Sequence, residues 1–232
     1  SGAKDWQLRR IMKKLLITID GPAGAGKTTV SRALAERLGY RYVDTGALYR
    51  GVAYEVSLWG INLQKDNELR DLCRRLQFSF VTNEKGLRLY SGETDISDYI
   101  RTPEISMLAS AVSAKSVVRE YLLEVQRHMG HQKAAVFEGR DMGTVVFPQA
   151  DIKFFLYASP EIRALRRFQE SDAKSNQTLK EVQKDMQQRD TDDSTRKLAP
   201  LKPADDAILI DSSKLSVDQV VDLMLSHVEQ NR

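Results

Sequence analysis

A single cysteine, Cys73, stands in a chain of 232 residues, so neither an internal disulfide nor a cysteine-rich metal site can be built. Leu69, Leu72 and Leu76 surround it at helical spacing, which marks it as a buried helix residue. No apolar run approaches the roughly 18 residues of a membrane span, and no secretory core precedes a small-residue cleavage site. The default expectation is a cytoplasmic protein with no membrane partner. The net charge is only +3, too small for the concentrated basic face of a duplex-DNA binder, so no nucleic-acid partner is expected. Internal repeats and low-complexity tracts are also absent. His128 and His131 flank Gly130 at an expected helix end and read as surface residues that suit the helix dipole. What remains is a chain 41% apolar and 29% charged, enough for a real core under a polar surface. Residues 1–11 read as a leader or an expression remnant, with Met12 opening the domain that runs to residue 232.

Leu15–Ile19 is a short apolar run that ends at Asp20 and a glycine-rich turn, as a buried parallel strand does. Lys27–Leu38 has helical spacing and stops at Gly39, a left-handed cap. Tyr42-Val43 is a second strand, and Ala47–Leu58 a second helix. This is the β-α-β-α rhythm of a parallel sheet covered by helices. The rhythm then breaks. A helix near Asn67–Leu76 precedes two strand candidates, Phe78–Val81 and Leu87–Tyr90, joined by Asn83-Glu84-Lys85-Gly86, so residues 61–101 read as an antiparallel insertion. Thr102-Pro103-Glu104 opens a helix, and another spans Ser116–His131. Ala134–Phe137, Ile152–Leu156 and Ile208–Ile210 are further strands, with helices opening at Ser159-Pro160-Glu161 and at Ser216. The stretch Asp172–Pro203 is too charged for a core and reads as an exposed lid over 172–199. The expected architecture is α/β: a five-stranded parallel sheet with flanking helices, one insertion and a charged lid.

Gly21-Pro22-Ala23-Gly24-Ala25-Gly26-Lys27-Thr28 matches G-x-x-x-x-G-K-[ST] between a strand and a helix. Glycines allow the backbone to curl with its N–H groups inward. The new helix offers its free N–H groups and positive dipole end to phosphates. Lys27 brings a mobile charge to the outer phosphates, the Thr28 hydroxyl is suited to Mg²⁺, and Thr29 completes the set facing the nucleotide. The motif fixes a nucleoside triphosphate site. By itself it does not separate a kinase from a GTPase or a motor.

Four further clusters narrow the choice. Asp44-Thr45-Gly46-Ala47-Leu48-Tyr49-Arg50 follows the second strand, and Glu138-Gly139-Arg140-Asp141 follows the third, both at the carboxyl edge where such sheets bind ligands. Arg163 and Arg167 lie four apart on one helix. Arg189-Asp190-x-x-Asp193-x-x-Arg196 lies in the lid. Basic residues converging on such a loop fit phosphoryl transfer, which depends on positioning and charge neutralisation. The residues alone therefore reach a kinase of a small phosphorylated acceptor.

The run Ile-Asp-Gly-Pro-Ala-Gly-Ala-Gly-Lys, the Asp44–Arg50 cluster and Glu138-Gly-Arg-Asp-Met-Gly-Thr-Val-Val-Phe-Pro148 resemble the bacterial cytidylate kinases, and the likeness runs from Met12 onward. It implies ATP as donor with Mg²⁺, and CMP or dCMP as acceptor. It implies that Tyr49, Arg50, Arg140 and Arg196 hold the acceptor phosphate, with Asp44 beside them. Thr45, Ser110, Arg119 and Asp141 would read cytosine. Arg189 and Asp193 would contact the ribose, and Arg163 and Arg167 would flank ATP. The catalytic set it implies is Lys27, Arg140, Arg163, Arg167, Arg189 and Arg196. Residues 61–101 would be the monophosphate-binding subdomain, and the protein a monomer. Thr45 stands where the family commonly has Ser, and Glu138 where some members have Asp. Asp192 falls where some members carry a basic residue. A UMP kinase or another small-acceptor kinase is the nearest alternative. A guanine-nucleotide switch is disfavoured because no Asn-Lys-x-Asp run occurs.

Overall fold

The computed structural model describes residues 13–170 and 177–231. The leader expected at 1–11 and the part of the lid at 172–176 lie outside them. Five parallel strands form the central sheet: β1 (Leu16–Asp20), β2 (Arg41–Asp44), β6 (Ala135–Gly139), β7 (Ile152–Tyr157) and β8 (Ile208–Asp211), in the order β2-β6-β1-β7-β8. All five residues of β1 are buried, as befits a central parallel strand covered on both faces. Its side chains alternate: Ile17 and Ile19 enter one core with Val30, Leu34, Phe154 and Met224, while Leu16 enters another with Val43, Phe137 and Phe147.

Local chemistry sets the helix ends. Helix α1 (Lys27–Leu38) closes on Gly39 at φ 66°. In α2 (Thr45–Leu58) the Asp44 side chain accepts from the Ala47 amide at 3.0 Å as the N-cap. Thr102 caps α4 (Pro103–Ser113), which is followed by α5 (Ser116–Gly130). Capping boxes open α7 (Leu179–Thr195) with Thr178 and Glu181, and α8 (Val217–Gln230) with Ser216 and Gln219. Helix α6 (Pro160–Glu170) follows β7.

The insertion contains α3 (Asp66–Arg75) and a small sheet of β3 (Phe78–Asn83), β4 (Gly86–Ser91) and β5 (Thr94–Asp95), ending in a 3₁₀ turn at Tyr99–Arg101. Leu89, Ile96 and Ile100 from it share a core with Leu48, Val52, Val112 and Leu122. The third strand and the 3₁₀ turn go beyond the expected hairpin. Cys73 is buried as expected. The charged segment departs from the expectation of full exposure: α7 buries Val182 and Met186 against Ala164, with Ala23 of the glycine-rich loop packed alongside. No helix among the described residues is long and apolar enough to cross a membrane.

Candidate active site

Sheet register assembles the site before any side chain is considered. Pairing of β1 with β6 sets Asp20 beside Gly139, and pairing of β2 with β6 sets Asp44 beside Glu138. The glycine-rich loop leaves β1 at Gly21, where φ is 149° and a Cβ would fall 1.9 Å from the Leu156 carbonyl oxygen, so only glycine fits. It enters α1 through Gly26 at φ 88°.

Lys27 is buried, and its ammonium donates to the Pro22 carbonyl at 2.7 Å. Burial first, and then the nearby Arg140 guanidinium, pull its pKa down to about 7. A triphosphate against this loop favours the charged form. At about pH 8, binding of an unreactive ATP analogue is therefore expected to take up a fraction of a proton, and the uptake should shrink towards about pH 6. Calorimetry in buffers of different ionisation enthalpy reads it directly. Proton release at the higher pH would contradict this picture of Lys27.

Thr28 donates its hydroxyl to Glu138 Oε1 at 2.8 Å, and the Tyr42 phenol donates to the same oxygen at 2.9 Å. Glu138 Oε2 is buried and has no partner among the described residues. Burial, followed by neighbouring Asp44, raises the Glu138 pKa. A hydroxyl and a carboxylate with an orphaned oxygen, next to a phosphate loop, fit Mg²⁺. That ion binds through one or two protein oxygens and keeps its waters and phosphates as the other ligands. No cluster of three or more His, Cys, Asp or Glu suited to a metal occurs among the described residues, so a cage built from protein ligands alone is not on offer. Thr29 is exposed on the first turn of α1.

Across the cleft the expected acceptor residues converge. Arg119 pairs with Asp141 at 2.9 Å and lies over the Tyr49 ring, 5.5 Å from its centroid. Arg119 Nε and Nη2 are buried without partners among the described residues. Burial and the Asp141 charge push the Tyr49 phenol up to about 12, so it remains a hydrogen-bond donor. Arg50 pairs with Asp44 at 3.0 Å. Asp193 holds Arg140 at 2.9 Å and Arg196 at 3.4 Å. Burial works against the Asp193 charge, but Arg140 and Arg196 outweigh it and keep its pKa low. Arg196 also donates to the Ala199 carbonyl at 2.7 Å, and its Nη2 has no partner. Arg189 is half-buried and makes no ion pair among the described residues; burial and then Arg140 lower its pKa, with Asp193 pulling the other way and Arg167 and Arg50 adding to the crowding. Ser110 lies half-buried on α4. The Thr45 hydroxyl donates to the Glu138 carbonyl at 2.6 Å, so it anchors β6 to α2 here.

The two arginines of α6 differ. Arg167 is half-exposed, 3.7 Å from Glu170. Arg163 is buried: it donates to the Ala158 and Ala23 carbonyls, both at 3.0 Å, and pairs with Asp190 at 2.7 Å. It therefore ties the glycine-rich loop to α7. Arg166 binds the Ser212 hydroxyl at 3.0 Å, and that hydroxyl reaches the Ala25 carbonyl at 3.1 Å. Sequence reasoning missed Arg166 and Tyr42, whose partners are remote in the chain. It also missed Asp20, whose buried carboxyl accepts from Met142 and Gly143 and whose pKa burial raises to about 6. The one available signal was a carboxylate closing an otherwise apolar strand just before the loop.

Comparison with known proteins bears on what such a cleft does. A family model described as cytidylate kinase matches residues 17–230. A cytidylate kinase of Geobacter sulfurreducens is 49% identical over 217 residues, covering 93% of this chain and 93% of its own. That of Ligilactobacillus salivarius is 42% identical over 221 residues, covering 95% and 99%. Cytidylate kinase 1 of Haemophilus influenzae is 41% identical over 217 residues, covering 93% and 94%. Among solved structures, a shikimate kinase from Acinetobacter baumannii, in complex with shikimate, superposes with a TM-score of 0.50 at 16% identity, over 97% of this chain and 98% of that one, a likeness of fold alone.

Proposed function

The chain belongs to the cytidylate kinase family, whose reaction is phosphorylation of CMP with ATP as donor, and from that premise we propose how its side chains divide the work. The loop from Gly21 to Thr29 holds the ATP phosphates, with Lys27 on the outer pair. Thr28 and Glu138 hold Mg²⁺, which when bound neutralises phosphate charge and orients the transferring group. Arg50, Arg140, Arg196 and Tyr49 seat the CMP phosphate, Arg189 and Asp193 serve the ribose, and Arg119 and Asp141, with Thr45 and Ser110, read the base. The γ-phosphoryl then leaves its ADP oxygen for an oxygen of the CMP phosphate, and the arginines offset charge that spreads over the transferring oxygens.

The observation that carries this reading is the surplus of guanidinium N–H on the acceptor side. Among the described residues, buried donors of Arg119 and Arg196 lack partners, and Arg189 shares the Asp193 charge with Arg140 and Arg196. Buried donors left unmet are costly, and an acceptor-rich nucleotide meets them. We include dCMP as an acceptor, because most of the proposed contacts are to the phosphate and the base, which dCMP shares with CMP. We read the protein as a cytoplasmic monomer, and light scattering in solution tests the oligomeric state. A coupled ADP-release assay with each nucleoside monophosphate in turn tests the reading. CMP and dCMP should turn over far faster than UMP, AMP or GMP, and equal rates with UMP would count against it.

Helix α7 and the residues around it serve as the lid in this reading. Arg189 and Arg196 lie on or just beyond α7, whose buried apolar residues are Val182 and Met186, with Leu179 packed beside them. Closure over both nucleotides excludes water and suppresses idle ATP hydrolysis. Amide exchange across 177–199 is expected to slow when CMP and an unreactive ATP analogue are added together, more than with either alone. Identical exchange with and without ligands would remove the lid assignment.

A further inference from the structure

Asp20 has no task in the reading above, yet its carboxylate joins the two halves of the cleft. It ends β1, one residue before Gly21, and only 4% of it is exposed. Its Oδ1 accepts from the Met142 amide at 2.9 Å and its Oδ2 from the Gly143 amide at 2.7 Å. Those two amides open the π-helical turn Met142–Val146 that follows Asp141. The first N–H groups of any helical turn lack partners inside it. At the same turn the Asp141 carbonyl accepts from Val145 at 2.9 Å and Val146 at 3.1 Å. Asp141 is thus held by its own carbonyl on one side and by clamped amides on the other, and its side chain meets Arg119.

A carboxylate is the only short side chain that offers an acceptor to each of two adjacent amides. Asparagine would turn an N–H against one of them, and serine carries a single oxygen. Burying a carboxylate is costly, and the two amide bonds that tie the end of β1 to the turn offset that cost. We propose that Asp20 is a positioning residue that fixes the acceptor turn Arg140-Asp141 relative to the donor loop beginning at Gly21. The inference rests on the reading of that turn as the acceptor site.

The test compares Asp20→Asn, Asp141→Ala and the double variant in the full chain, with KM and kcat measured for CMP, UMP and ATP. Asp20→Asn is expected to raise KM for CMP by about ten-fold or more and to lower the CMP-to-UMP ratio of kcat/KM by a similar factor. KM for ATP should rise much less than KM for CMP, since the donor loop keeps its own contacts and Asp20 is the least of the charges acting on Lys27. Added to Asp141→Ala, the Asp20 change should not move the ratio further. A folded Asp20→Asn protein with wild-type KM for CMP overturns the inference, and so does an equal rise for ATP. If Asp141→Ala leaves the ratio intact while Asp20→Asn raises KM for CMP, base reading by Asp141 fails and the clamp stands. Amide exchange on the wild-type protein keeps the inference open to refutation even if Asp20→Asn does not fold. The Met142 and Gly143 amides should exchange far more slowly than that of exposed Gln149, and equal rates overturn the clamp.

Discussion

Lys27→Ala is expected to lower kcat by about 10²–10³-fold, the usual consequence of removing one preorganised charge aimed at a transferring group. The fold should not suffer in proportion. The Lys27 pKa in the folded protein lies near 7 against an ordinary 10.5, chiefly because of burial. Holding the charged form in the folded state therefore costs stability in full below about pH 7, and the cost fades as pH rises towards the unfolded value. Alanine removes that cost and also loses the bond to Pro22. The variant should melt no lower than wild type near neutrality, with its advantage shrinking on the alkaline side. Thermal scans at several pH values, run beside the ADP-release assay, check both halves. A well-folded variant that keeps more than about half of its activity would show that the loop does not act on the transferred group.

Asp141→Ala and Arg119→Met are expected to lose far more activity on CMP than on UMP. Cytosine offers an amino donor at C4 and acceptors at N3 and O2. Uracil reverses the first two. A carboxylate accepts from the cytosine amino group but faces a carbonyl oxygen in uracil, and a guanidinium suits cytosine N3 but meets a donor in uracil. Each mismatch strands a buried polar group at about 1–3 kcal/mol, so the pair could favour CMP by roughly two to four decades. Here Arg119 and Asp141 are bonded to each other, at 2.9 Å, with two Arg119 donors still unmet. Cytosine can use those donors while the carboxylate turns to its amino group. The CMP-to-UMP ratio of kcat/KM should move towards one in both variants, and a ratio unchanged in both would place base recognition elsewhere.

Helix and strand order was readable because strong local signals and burial agree. Lys27–Leu38 is bounded by glycines in left-handed conformations, and Ser216 and Thr102 are caps with visible chemistry. The two-residue β5 carries no period to read. Met186 of α7 looked like one apolar residue in a polar stretch, and only the fold brings Ala23 of the donor loop to it. The types needed for phosphoryl transfer were plain in the motifs, but their partners were not. Arg163 at Ala23, Tyr42 at Glu138 and Asp20 at Met142 are contacts across 140, 96 and 122 positions, set by strand order rather than by neighbours in the chain.

In the proposed reading, with Asp193 on Arg140 and Arg196 and Asp44 on Arg50, a phosphate bound by these arginines exchanges one anion for another. The gain is the difference between two sets of ion pairs, not the whole of either. On that reading the same exchange runs in reverse when CDP departs, as Asp193 and Asp44 reclaim Arg140, Arg196 and Arg50. Release of product limits turnover in many enzymes. In the proposed reading, a site that supplies its own replacement anions lowers the barrier to release of the diphosphate.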